Sequence, residues 1–257
     1  MARWTAFPYA GTDNFDAAIL SRKWLLLHAG DLEPLPTHPQ VLQAWVHFHN
    51  GEFHKAATLG QGLGHEGLTV YCKATCTHAT YLEKHEEHRL DLFLQVAQRA
   101  EQRALAQPDN ASAHYWWAFA LGRYSQGLSV AKALAQGLDN KVKSQLEKVI
   151  RLQPRHADAH IALGNFHAEI IDKVGSLIGA MAYGVNKDVG LKLFANAMQL
   201  NSKSPRCMVE YARALLMFDG DKMMEEATHL YQLASRSHPR DAMERLEVEM
   251  AKAELED

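Results

Sequence analysis

The sequence predicts an all-α protein: a right-handed superhelical stack of helix-turn-helix repeats closed by a C-terminal capping helix. Three observations lead there. Runs of Val, Ile, Thr and Tyr alternating with polar residues are missing over any useful length, so strand signals are almost absent. Segments rich in Ala, Leu, Glu, Gln and Lys recur instead, with apolar residues at helical spacing. Finally, Ala106-Gln107-Pro108-Asp109-Asn110-Ala111-Ser112-Ala113-His114 aligns with Leu152-Gln153-Pro154-Arg155-His156-Ala157-Asp158-Ala159-His160 at an offset of 46 residues. Proline cannot continue the helix before it, and it restricts the residue that precedes it.

Residues 1–38 read as an N-terminal helix and a proline-containing linker packed on the repeats. Within it, Thr12-Asp13-Asn14-Phe15-Asp16-Ala17-Ala18 is half of a turn signature that is complete at Asn50-Gly51-Glu52-Phe53-His54-Lys55-Ala56-Ala57. The same layout returns at Asp219-Gly220-Asp221-Lys222-Met223-Met224-Glu225-Glu226-Ala227. Glycine closes one helix in the left-handed conformation, an acidic residue opens the next, and an alanine permits a close crossing. Residues 39–240 are the repeat solenoid. In it, Val142, Leu146, Val149, Ile150 and Leu152 form one apolar stripe opposite Lys143, Glu147, Lys148 and Arg151. Asp109 or Asn110, and Asp158 or its neighbours, are placed to cap the helices that follow the two prolines. Weaker copies open at Leu200-Asn201-Ser202-Lys203-Ser204-Pro205 and at Ser237-His238-Pro239-Arg240-Asp241. Residues 241–257 read as a capping helix, its charged face (Glu244, Arg245, Glu247, Glu249, Lys252, Glu254) outward and Leu246, Val248 and Met250 inward.

These punctuation marks resemble tetratricopeptide repeats, which pair helices around a small-residue contact and end with a proline. The best stretch runs from Val149 to Asn165. Two units exceed the usual length of about 34 residues, through the inserts Gln126 to Asn140 and Lys173 to Lys187. Around Tyr71 to Arg103 the small-residue pattern is poor. Tyr115-Trp116-Trp117-Ala118, a long insert, and then Leu146 to Pro154 is similar to the repeat region of the regulator of microtubule dynamics family and its bacterial relatives, over about Leu90 to Glu247. That resemblance implies the fold and transfers little about cellular role.

Composition removes several functions. The 257 residues carry 27 Lys plus Arg against 30 Asp plus Glu, a formal charge of −3. A nucleic-acid binder would show a basic stripe, and an acidic filament such as a microtubule would want basic patches too. No apolar run approaches the ~18–20 residues that span a bilayer. The N-terminus lacks a basic stretch followed by an apolar core, so the expected location is cytoplasmic. Three cysteines exclude a disulfide scaffold.

Hairpins stacked on one another leave a concave side lined by the first helix of each pair. The repeat resemblance puts Val41, Trp45, Phe48 and His49 there, then Tyr115, Phe119 and Arg123, then Ile161, Asn165 and Glu169, and finally Ala212 and Leu216. Such a surface suits an amphipathic helix, an apolar peptide or a lipid-like molecule. The alternative is that the stack curls tightly and these positions are core. Of the adjacent Trp116 and Trp117, the second is expected to be the packed one. Arg123 is the candidate for holding a carboxylate or phosphate.

Fifteen histidines stand out, with His47, His49 and His54 in one group and His85-Glu86-Glu87-His88 in another. A zinc hydrolase wants its histidines four apart; here they are three apart, in a strongly polar run that reads as a solvated helix start. Cys72 and Cys76 share a helical face and suit a soft metal, but buried core thiols are the preferred reading. No phosphate loop or nucleophile elbow is present. Val174 to Val185 is a glycine-rich apolar insert, read as a packed segment or as a lid over the groove. The chain is therefore expected to be a non-catalytic scaffold without metal or other cofactor. Its partner would be a protein or peptide, with a carrier of a lipid-like molecule as the alternative and a homodimer as a further option.

Overall fold

The computed structural model describes residues 4–11, 14–129, 132–133 and 136–256. Among them all regular structure is helical. The chain groups into two compact units. One comprises residues 1–28, 33–152 and 241–243, the other residues 29–32, 153–240 and 244–257.

In the first unit, α1 (Ala17–Leu27) precedes three antiparallel pairs: α2 (Pro39–His49) with α3 (Phe53–Gly62), α4 (Leu68–Tyr81) with α5 (Glu86–Ala106), and α6 (Ala111–Gln126) with α7 (Leu138–Leu152). Of the predicted stripe of α7, Val142, Leu146 and Val149 are buried, while Ile150 and Leu152 are half-buried. Of the half-copied turn at Thr12 to Ala18, Thr12 and Asp13 lie outside the described residues; Asp16 caps α1, its carboxylate accepting from the Ile19 N–H at 2.7 Å. Parts of the Gln126 to Asn140 insert, and Asp257, also lie outside them.

The turn at Asn50-Gly51 does more than reverse the chain. Gly51 has φ +78°, and a Cβ there would fall 2.3 Å from the Phe7 ring, so glycine serves both the turn and the seat of Phe7. The Asn50 side chain accepts from the Phe15 N–H at 2.8 Å and donates to the Phe15 carbonyl at 2.9 Å. Those two bonds tie the N-terminal segment to α2.

Both aligned proline turns contain a histidine lock. His114 Nε2 donates to the Pro108 carbonyl at 2.9 Å, and His160 Nε2 donates to the Pro154 carbonyl at 2.9 Å. Each satisfies a carbonyl at the turn that the helix cannot. Asn110 caps α6 through the Ala113 N–H. At the second turn the cap is His156, whose Nδ1 accepts from the Ala159 N–H at 3.1 Å, and Asp158 is left for an ion pair with Arg206.

The segment with the poor small-residue pattern begins in a heavily enclosed helix. Ten of α4's residues are buried, Val70 through Ala79. Its entry depends on glycine: a Cβ on Gly67 would lie 2.2 Å from the Gly60 carbonyl oxygen.

The second unit pairs α8 (Ala157–Val174) with α10 (Lys187–Leu200), the insert between them forming the short α9 (Ser176–Tyr183). Then α11 (Pro205–Asp219) runs through a 3₁₀ turn (Gly220–Met223) into α12 (Met224–Ser235). One core cluster joins Ile161, Ala168, Phe194, Ala197, Cys207 and Ala214. Another joins Met208, Val209, Ala212 and Leu215 of α11 to Ala227, Leu230, Tyr231 and Ala234 of α12 and to Ala251. Ala251 belongs to the C-terminal helix α13 (Ala242–Ala253). The expected polar outer face of that helix is not wholly wet. Glu244 and Glu247 are buried, Glu247 at 1 % exposure, because the helix is covered beyond its apolar side.

Replacing Gly67 with alanine must push α4 from α3, and overpacking of this kind costs about 1–3 kcal/mol. Urea denaturation of Gly67→Ala is expected to show that loss, while Gly62→Ala, where an added Cβ meets nothing within 4 Å, stays near the parent.

Candidate functional site

The expected groove positions divide by burial. Val41, Trp45, Phe48, His49, Tyr115, Ile161 and Ala212 are buried core residues. Around α2 the reason is aromatic packing: Trp45 meets Trp24 and His28 edge-on, and Phe48 meets Phe53. The Lys73 ammonium lies over the Trp45 and Phe48 rings at 5.7 and 5.4 Å. His49 is wholly enclosed, its Nδ1 2.7 Å from Asp241 Oδ2 and its Nε2 3.4 Å from His28 Nε2. Trp116 and Trp117 are both packed, at 5 % and 7 % exposure, although the sequence predicts this only of the second.

Phe119, Arg123, Asn165, Glu169 and Leu216 remain half-buried. In the second unit Asn165 donates to Glu210 Oε2 at 2.9 Å, and Leu216 packs on the α11–α12 cluster. In the first unit the Arg123 guanidinium stands 5.5 Å over the Phe119 ring and lines an open cavity of about 200 Å³. The other walls are Thr80 at the end of α4, Glu86, Arg89, Leu90 and Phe93 at the start of α5, and Gln126 and Gly127 at the end of α6. Arg89 is invisible to a repeat-based reading, because it lies on the second helix of its pair.

The histidine groups do not converge. His47 pairs with Glu52 at 2.5 Å, His54 is exposed, and His49 belongs to the buried cluster. His85 contributes only its backbone N–H to Glu83, whereas His88 Nδ1 lies 2.5 Å from Glu83 Oε2. Among the described residues no group of three or more His, Cys, Asp and Glu side chains is arranged to hold a metal. The three cysteines are free and buried. Burial pushes the Cys72 thiol well above its usual range, and burial together with Asp158 raises Cys207 to about 12, the behaviour of core thiols rather than nucleophiles.

Sequence reasoning missed Glu83 as an organising group. His78, buried on α4, is stacked under Trp4 at 4.1 Å, with Nε2 3.7 Å from Glu83 Oε2. Burial holds its imidazole down to about 4, against the opposing pull of Glu83 and reinforced by His88 and His54. Burial alone would raise the Glu83 carboxyl, but the His85 N–H and His88 hold it below its usual value. Nothing in the spacing of 78, 83 and 88 marks them as partners.

Residues 59–174 match the family described as regulator of microtubule dynamics protein 1-3, starting before the expected Leu90 and ending at α8. No curated protein matches the sequence. Among solved structures the chain is similar to a thermophilic TPR protein of Thermus thermophilus. The identity is 16 %, with TM-score 0.58 over 83 % of this chain and 97 % of that one. The fold is therefore a tetratricopeptide-like helical repeat.

Because the folded imidazole of His78 titrates near 4 and an unfolded one near 6.5, the unfolded chain binds the extra proton in between, and stability falls as pH drops through that window. Between pH 7 and 5 this contribution is about 2 kcal/mol. It is expected to disappear in His78→Phe, as read by urea midpoints at the two pH values. Added zinc is expected to leave the thermal transition of the parent protein unmoved, since a metal held by the native state alone would raise it.

Proposed function

We propose that this chain is a non-catalytic interaction module that holds a peptide or helix of a protein partner. The reading is carried by Arg123. It stands over the Phe119 ring at the wall of an open cavity, whereas the other first-unit positions expected to bind are enclosed in the core. A repeat fold supports it, since hairpin stacks present rigid side-chain arrays to extended ligands. Half-buried aromatic and arginine side chains are also the types that carry most binding energy at interfaces. Free, buried cysteines support a reducing, cytoplasmic setting.

A second reading, a carrier of a lipid-like molecule, is favoured by α9, on which Leu177, Ile178 and Met181 are 75 %, 58 % and 82 % exposed. Large exposed apolar side chains in one short helix call for a cover. Gly179 and Tyr183 are the buried members of α9, so the insert packs by that side and leaves Leu177, Ile178 and Met181 out.

Affinity purification from native extract with Phe119→Ala/Arg123→Ala beside the parent separates these. The interaction reading expects one protein partner to be retained by the parent and depleted about tenfold or more on the double variant. Native mass spectrometry showing instead a lipid-sized adduct, with no protein partner lost on the variant, would establish the carrier.

A further inference from the structure

We propose that Asn50 is a site of hydrolytic modification guarded by the N-terminal segment. It is inert while Phe15 holds its side chain. Once the segment lifts, Asn50 converts to aspartate or isoaspartate, and the segment no longer seats as before. This stands apart from the interaction reading.

In an Asn-Gly pair the next backbone nitrogen meets little obstruction on its way to the side-chain carbonyl carbon, because glycine has no Cβ. The Gly51 nitrogen attacks Asn50 Cγ; a carbon–nitrogen bond forms there and the Cγ–Nδ2 bond breaks. The departing amide nitrogen takes the Gly51 proton and leaves as ammonia, closing a five-membered succinimide. Water then adds to either ring carbonyl. Cleavage at Cγ gives aspartate, and cleavage at the main-chain carbonyl gives isoaspartate. No oxidant or reductant takes part.

The folded turn obstructs each part of this reaction. Asn50 has ψ 3°, which turns the Gly51 nitrogen toward the Asn50 nitrogen and away from Cγ. The Gly51 N–H, whose proton must be given up, donates to the Phe48 carbonyl at 2.9 Å, and the Glu52 N–H donates to the His47 carbonyl at 2.9 Å. The electrophile is held as well, by the two bonds between the Asn50 amide and the Phe15 backbone. Two aromatic anchors keep those bonds in place. The Phe15 ring packs on His49 at 5.6 Å, and Phe7 lies against Gly51 and edge-on to Phe53 at 5.9 Å. Between and beside the anchors, Thr5, Ala6, Pro8 and Ala10 are exposed, and Asn50 is only half-buried. Water therefore reaches the amide when the segment lifts.

Conversion works against reseating. Asparagine offers Phe15 one acceptor and one donor, whereas an ionised carboxylate only accepts. The Phe15 carbonyl then loses its donor and faces an oxygen instead, which disfavours the docked state. Isoaspartate adds a methylene to the main chain at the turn, just before Gly51 at φ +78°, and so displaces the nitrogens that bond to Phe48 and His47.

The test holds the full chain at neutral pH, below its melting transition, and follows the tryptic fragment between Lys23 and Lys55 by mass spectrometry. Asn50 is the only asparagine in that fragment, and conversion makes it about one mass unit heavier. A synthetic peptide of residues 46–55 supplies the unguarded rate. The parent is expected to convert more slowly than the peptide by about tenfold or more, because local opening sets the rate. Phe7→Ala is expected to convert about tenfold faster than the parent, with Phe7→Leu between them. Circular dichroism melts confirm folding, and Phe7→Leu gives the comparison where Phe7→Ala does not melt cooperatively. In Asn50→Asp the Phe15 amide is expected to exchange its hydrogen about tenfold faster than in the parent. Equal rates in parent and peptide, no acceleration in a cooperatively melting Phe7 variant, or parent-like exchange at Phe15 in Asn50→Asp would overturn the proposal.

Discussion

A two-helix hairpin has more apolar surface than it can hide, and the architecture of each unit follows from how that surplus is covered. Alanine and glycine at the crossings let the next hairpin approach closely. Ala44, Ala56, Ala74, Ala100, Ala118 and Ala120 are all at zero exposure, and α3 and α4 meet at Gly60 and Gly67 with no room for a side chain. Close approach draws whole helices inside, and α4 carries Lys73, Thr75 and His78 in with it. Lys73 meets the faces of Trp45 and Phe48, and burial under Trp4 keeps His78 neutral.

Histidine abundance acquires its explanation from the same constraint. Imidazole packs like an aromatic ring while offering one donor and one acceptor, which suits buried turns and helix ends where carbonyls and N–H groups would go unpaired. His114 and His160 lock proline turns, His156 caps α8, and His49 bridges Asp241 and His28. These are structural uses, and none assembles a metal or a nucleophile.

Enclosure also sorts the expected groove positions. On α2 and at Tyr115 the aromatic side chains that looked like a binding surface are committed to packing. Of the expected groove positions in the first unit, Phe119 and Arg123 stay half-buried, and Arg123 lines an open cavity together with residues at the start of α5.

The helical class, the proline and Asn-Gly punctuation, the stripe of α7 and the buried state of the cysteines were determined by the sequence itself. Each rests on local chemistry: proline's ring, glycine's φ freedom, the 3.6-residue period and the hydrophobicity of a thiol. The core role of Trp45 and Phe48, the seating of Phe7 on Gly51, the Glu83–His78–His88 cluster and the placing of Arg89 and Arg123 along one cavity were decided only by tertiary structure. These contacts join residues on different helices or segments, and a face that looks exposed on one hairpin becomes interior when neighbouring helices and the N-terminal segment close over it.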